Sequence, residues 1–205
     1  GGLVAYGRIQ SFLVTLCGLL IFRGLARGVT MDQTQGFQGK FSELRWIGNG
    51  RISIPGVEGF ALPAPVLSLI VIAILSMIFL NCTVWGRWMK AVGRSPSAAR
   101  YSGIPVARLQ ILAYTICSLL AGFGGLLFVC DVGSAQPSDF GNFYELYAIA
   151  AAVLGGYRLS GGEGSVVGVV IGAAVMQVLR NAIVLISWLP DTAEFAVIGL
   201  VILIG

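Results

Sequence analysis

The sequence predicts an all-α integral membrane protein, and three observations carry that prediction. Of the 205 residues, 57% are hydrophobic and only 11% are charged, against about 25% charged in a soluble domain. A chain this poor in charge cannot cover a water-facing surface. Apolar runs of about 20 residues, the length needed to cross the hydrocarbon of a bilayer, recur between shorter polar segments. The basic residues gather beside those runs, as they do in loops held on one membrane face.

Composition also excludes several chemistries. There is no His, so His-based triads and His-ligated metals are ruled out. The four Cys stand singly at Cys17, Cys82, Cys117 and Cys130. No C-x-x-C spacing occurs, so neither a zinc site nor a disulfide framework is supported, and they read as small apolar packing residues. The net charge of +4 is weak support for nucleic-acid binding, and its clustering beside the spans points to topology instead.

The elements follow in order. Gly1–Tyr6 reads as the tail of an earlier span or a short turn. Ile9 to about Val29 is the first full span, with Arg23 and Arg27 near its far end, where an Arg can snorkel. Residues 30–61 are polar and rich in Gly and aromatics. They read as a small cap on one membrane face, with Ile52-Ser53-Ile54-Pro55 as a short strand or extended turn. Leu62–Val84 is the second span, with Pro63 and Pro65 in its first turn and Trp85 and Trp88 marking the interface at its end. Leu109–Cys130 is the third. After a loop over 131–143, Tyr144–Tyr157 is a short apolar helix of about 21 Å at 1.5 Å per residue, less than a full crossing. The Gly-rich loop 155–164 leads into a span from Ser165 to Ser187, and Ala193 onward begins another. The chain starts with Gly inside an apolar stretch and stops in mid-span, so it reads as a piece of a longer membrane protein holding about six spans, a single transmembrane domain over 1–205.

The loop 85–108 holds Arg87, Lys90, Arg94, Arg100 and Arg108 and no acid. The loop 131–143 holds no basic residue. By the positive-inside rule, 85–108 faces the cytoplasm, 30–61 and 131–143 face outside, and 155–164 returns inside. Within the basic loop lies a doubly capped helix. Ser95 is a good N-cap, Pro96 sits at the first helical position where a missing N–H costs nothing, and Ser97–Ser102 form the body. Gly103 can take the left-handed conformation that closes a helix, and Pro105 prevents continuation. A solvated charged loop is the alternative reading, but caps at both ends favour a defined element that docks on something.

Other patterns each have a plain alternative. The run from Gly161 to Gly168 is not a phosphate loop, lacking G-K-S/T and any strand–helix alternation. Gly164, Gly168 and Gly172 instead form a small-xxx-small stripe for close helix packing, and Ser118 and Gly122 with Gly124 and Gly125 form a second. Asp131, Asp139 and Glu145 make an acidic outer patch, either a solvated rim or a contact for a soluble partner or polar solute. Arg180 lies within a span and must face protein or water. It either pairs with Asp191 or Glu194 or lines the solute path.

Several stretches together resemble the permeases of ATP-binding-cassette importers of the ribose, xylose and galactose type. These are Gly7–Leu16, the run AVGRSPSAARYSGI from Ala91 to Ile104, Ser134–Pro137, Glu145–Gly156 and Leu159–Ser165. The family usually has Asn where Ser95 stands, another good cap, and often Asp where Tyr147 stands. The resemblance covers nearly the whole chain. It implies a fold of about ten helices, of which this chain holds the last six, in a bacterial inner membrane. It implies two permease copies forming the pore (a homodimer or a pair of paralogues), a cytoplasmic ATPase that holds ATP and magnesium, and a periplasmic or lipoprotein solute-binding protein. The permease itself would be no enzyme and bind no cofactor or metal. Ser95, Pro96, Ala98, Ala99, Arg100, Ser102 and Gly103 would belong to the coupling helix that docks on the ATPase, the Ala98–Ala99 pair letting it sit close. Phe12, Thr15, Gln136 and Tyr144 are candidates for the solute path. A related permease for branched-chain amino acids or nucleosides is one alternative. A channel or ion-driven transporter is another, disfavoured because the spans carry almost no charge to bind a coupling ion.

Overall fold

The computed structural model describes residues 1–7, 9–36, 46, 48–53, 61–158, 161–185, 195, 196 and 199. The span expected from Ala193, the proposed Arg180 partners Asp191 and Glu194, most of 37–60, and Leu159 with Ser160 lie outside them. The described chain is helical: α1 (Gly2–Ala5), α2 (Ser11–Thr30), α3 (Ala64–Cys82), α4 (Val84–Arg94), α5 (Pro96–Tyr101), α6 (Val106–Val132), α7 (Tyr144–Leu154) and α8 (Val166–Leu185). Four short strands accompany them: β1 (Gln35–Gly36), β2 (Arg51–Ser53), β3 (Ala61–Pro63) and β4 (Ser134–Ala135). Helices α2, α3, α6 and α8 are each long and apolar enough to cross a membrane. This is an all-α, multi-pass membrane protein, and most of its large apolar side chains on α2 and α3 are exposed, which suits surfaces that meet lipid or other helices rather than water.

The chain forms two units. The first comprises Gly1–Ile72 and Pro105–Asn142, and the second Ala73–Ile104 and Phe143–Gly205. In the first, β1 pairs antiparallel with β4, Gln35 opposite Ala135 and Gly36 opposite Ser134. The two loops assigned to the outer face by charge are therefore neighbours. Arg23 does not simply snorkel. Its guanidinium donates to the Ser138 carbonyl at 3.1 Å and to Asn142 Oδ1 at 2.9 Å, so it pins the turn after β4. Arg27 lies 3.6 Å from the Asp32 carboxylate. The Asn49 amide donates to the Asp131 carbonyl at 3.1 Å. Strand β2 pairs with β3, and Pro63 ends that ribbon opposite Arg51. It is thus a strand-end proline rather than a first-turn one, leaving Pro65 alone in the first turn of α3. In the second small-residue pattern, a Cβ at Gly122, Gly124 or Gly125 would meet nothing within 4 Å among the described residues.

In the second unit the core is the α7–α8 pair. Ala150, Ala151 and Met176 are buried together with Tyr147 against them. A Cβ on Gly155 would come within 2.6 Å of the Gly168 carbonyl carbon and the Val169 nitrogen, and one on Gly172 within 2.8 Å of the Gly155 nitrogen. The backbones touch, so glycine is required there. The positions 168, 172, 176 and 180 recur every four residues, which puts them on one helix face, and they meet Gly155, Ala151 and Tyr147 of α7. Gly164, expected in the same stripe, is not part of it. It precedes α8, has φ +150, and lies against the Tyr157 ring. Helix α7 has 11 residues, about 16 Å at 1.5 Å per residue, shorter than the predicted 14-residue helix because Gly155 and Gly156 stop it. The Tyr157 N–H donates to Ala152 and the Gly156 N–H to Val153, with Gly156 at φ +80, a Schellman ending.

Candidate functional site

The basic stretch 85–108 is more ordered than its charge suggests. Its first part is a helix, α4, where charge alone predicts a loop. The signal was present: Trp85, Trp88 and Val92 recur at helical spacing, as do Arg87, Lys90 and Arg94 on another face. Thr83 turns the chain from α3 into α4. Its hydroxyl donates to the Phe79 carbonyl at 2.6 Å and accepts from the Gly86 N–H at 3.1 Å. Gly86 is buried, and a Cβ there would meet Leu80 Cα and O at 2.6 Å. Only glycine lets the backbone fold back this tightly. Lys90 donates to Asn81 Oδ1 at 2.7 Å, and the Trp85 and Trp88 rings meet edge to face at 5.6 Å.

Ser95 ends α4 and starts α5. Its N–H donates to Ala91 at 3.1 Å, and its hydroxyl accepts from the Ala98 N–H at 3.3 Å. Pro96 holds the first helical position. At the other end the Gly103 N–H donates to Arg100 and the Ile104 N–H to Ala99, each at 3.1 Å, with Gly103 at φ +77. This pair of bonds is the Schellman motif, and it stops α5 after six residues. The Ser102 hydroxyl donates back to the Ala98 carbonyl at 3.1 Å. The two alanines separate. Ala98 is exposed, but Ala99 is 4% exposed and packs inside this chain, so of the two only Ala98 faces outward. Tyr101 stands out from α5, 93% exposed, and no pattern in the sequence marks it.

The Gly-rich loop 155–164 lies beside α4. Gly161 and Gly162 lie against the Gly93–Arg94 backbone, where a Cβ on Gly162 would meet Arg94 N at 2.5 Å and one on Gly93 would meet Gly162 Cα at 2.7 Å. Glu163 reaches two cations, Arg94 at 3.4 Å and Arg158 at 3.2 Å. The two loops assigned to the cytoplasmic face are therefore joined, as the two outer loops are.

The solute-path candidates are placed separately. Thr15 lines an apolar cleft of about 580 Å³ in the first unit, walled by α1, α2 and α6. Its hydroxyl donates to the Ser11 and Phe12 carbonyls. Phe12 and Gln136 are not among the walls of that cleft. Phe12 is exposed on α2, and the Gln136 carbonyl accepts from Asp139 and Phe140 in the turn after β4. In the second unit Tyr144 meets Tyr147 edge to face at 5.9 Å, and the Arg180 guanidinium lies 5.5 Å from the centre of the Tyr147 ring. That stacking gives an intramembrane cation an aromatic partner. Among the described residues no cluster of Cys, Asp and Glu could hold a metal ion.

Residues 1–205 match the family model described as the permease component of the branched-chain amino acid transport system. The chain belongs to that permease family. Within the family it is 38% identical over 193 residues to the ribose import permease protein of Escherichia coli strain K12, a match covering 91% of this chain and 56% of that protein. It is 40% identical over its full length to a probable ABC transporter permease protein of Sinorhizobium fredii, 61% of which is covered. It is 30% identical over its full length to the xylose transport system permease protein of Escherichia coli, 65% of which is covered. The chain thus spans a little over half the length of the first relatives. No solved structure matches it. The resemblance read from the motifs at Gly7–Leu16, Ala91–Ile104 and Glu145–Gly156 holds.

Proposed function

We propose that this chain is part of the membrane-spanning subunit of an ATP-binding-cassette importer that carries a monosaccharide of the ribose, xylose or galactose kind across a bacterial inner membrane. The observation that carries this reading is α5, a six-residue helix tied at both ends and presenting Tyr101, Arg100, Ala98 and Ser102 outward. A short rigid element joined to a membrane helix bundle can pass a rigid-body movement from one protein to another. The five basic residues of the surrounding stretch 85–108 favour the cytoplasmic face for it, where an ATPase subunit would hold ATP and magnesium. The permease then contributes no catalytic group and no cofactor site. A second permease copy completes the pore, and a solute-binding protein delivers the sugar on the face where β1 and β4 pair. Similarity to permeases named for ribose and xylose supports the sugar class. The family description favours one second reading, a branched-chain amino acid as solute.

ATP-dependent uptake of radiolabelled ribose, xylose and galactose, measured in proteoliposomes holding the full-length permease, its ATPase and its binding protein, tests this. Uptake of one sugar that stops without ATP or without the binding protein is expected. Uptake of leucine in place of any sugar would move the assignment to the amino-acid reading, and uptake with neither partner present would overturn the importer.

A further inference from the structure

We propose that Glu163 is a positioning residue of the coupling machinery, clamping the Gly161–Gly164 loop to the end of α4 so that movement of α5 passes directly to the α7–α8 pair. The inference rests on the coupling role of α5 argued above.

Three observations within one unit carry it. The first is continuity: Ser95 is shared by α4 and α5, so a displacement of α5 is felt at Arg94, one residue away. The second is backbone contact. Gly93 and Arg94 lie against Gly161 and Gly162, close enough that a Cβ at either glycine of the 93–162 pair has no room. Contact of backbone on backbone, without flexible side chains between, passes displacement with little slack. The third is charge. The Glu163 carboxylate lies within ion-pair distance of Arg94 and of Arg158. Arg158 follows the end of α7, and the Ser165 carbonyl, two residues beyond Glu163, accepts the Val169 N–H of α8. Glu163 therefore stands at the junction of α4, α7 and α8. Beyond it, Gly155–Gly168 and Ala151–Gly172 lock α7 to α8.

The ion pairs alone add little to stability, because Glu163 is 42% exposed and both arginines more so, and exposed pairs are weak. Their role is register: one carboxylate between two guanidiniums holds the loop against α4, and without it the two cations lose their shared counter-charge. A physical coupling path needs such a contiguous set of contacts.

The test uses the full-length permease assembled with its ATPase and binding protein in proteoliposomes, with radiolabelled ribose and xylose as probes and sugar imported per ATP hydrolysed as the readout. Glu163→Gln is expected to assemble and hydrolyse ATP like wild type but to import less sugar per ATP, by roughly two- to fivefold, the range that exposed ion pairs reach. The charge-swapped triple variant R94E/R158E/E163R is expected to recover the ratio. An unchanged ratio in Glu163→Gln overturns the inference. So does a loss that follows total protein assembly and is not recovered by the swap, since that marks a merely structural pair. Wild-type uptake that needs neither the ATPase nor the binding protein overturns the importer reading and this inference with it. Wild-type coupling that survives the loss of Glu163 overturns this inference alone.

Discussion

At the scale of single residues, the basic stretch shows how a side chain's environment decides its use. Ala98 and Ala99 are identical in sequence terms, yet one faces out and the other is buried. Ala99→Leu should therefore destabilise the permease itself, by about 1–3 kcal/mol for overpacking, read as a lower melting temperature in detergent. Tyr101→Ala should leave that melting temperature unchanged and, under the proposed docking of α5 on an ATPase, lower the affinity of that ATPase for the membrane subunit, measured by co-purification. Equal effects of the two substitutions on stability would contradict the placement. Ser95→Ala removes an N-cap and should cost about 1 kcal/mol of helix stability, visible as faster amide exchange over Ser97–Tyr101. Tyr157 adds a pH effect. Burial raises its phenol above the ordinary 10.0, so the folded state favours the neutral form. That contribution is complete below about pH 10 and is lost as pH rises through the raised value. Tyr157→Phe should make stability less sensitive to alkali, which thermal melts across pH 8 to pH 12 would reveal, taking that range as roughly two units either side of a phenol's usual value.

At the scale of elements, two contacts decide the arrangement. The α7–α8 interface is built on backbone approach at Gly155, Gly168 and Gly172. Gly172→Leu should force the helices apart, costing at least about 1–3 kcal/mol, and the same substitution at Gly124, which has open space around it, should cost far less. Comparable melting shifts for the two would refute the packing assignment. Arg23 holds the turn after β4 through two hydrogen bonds. Arg23→Gln should free that turn and raise protease cleavage within 136–142 while α2 still inserts. Spacing predicted all four long spans within about three residues at each end, because a run of apolar residues and its flanking polar ones are local facts. It did not predict α4. The basic and aromatic residues there carry a 3.6-residue period as well as a charge pattern.

At the scale of the whole molecule, charge asymmetry in the loops sorted them into two sets, 30–61 with 131–143 and 85–108 with 155–164. The chain joins each set, the first through β1 and β4 and the second through Glu163 and the Gly93–Gly162 contact. The orientation expected of the two sets rests on charge, because insertion itself reads local charge. Labelling Lys-reactive groups from each side of right-side-out and inverted vesicles should modify Lys90 from the cytoplasmic side. Modification from the outside would invert the proposed orientation.

The sequence by itself determined the membrane class, the apolar spans, the capped helix at Ser95–Gly103 and the family, since each rests on composition, period or a run of neighbouring residues. The tertiary structure alone decided which alanine is buried, which glycines carry a helix contact, that Gly164 serves a tyrosine ring rather than a helix, and that Glu163 joins two cations five and 69 residues away along the chain. Those facts depend on which distant backbones approach, and no local pattern encodes the partner.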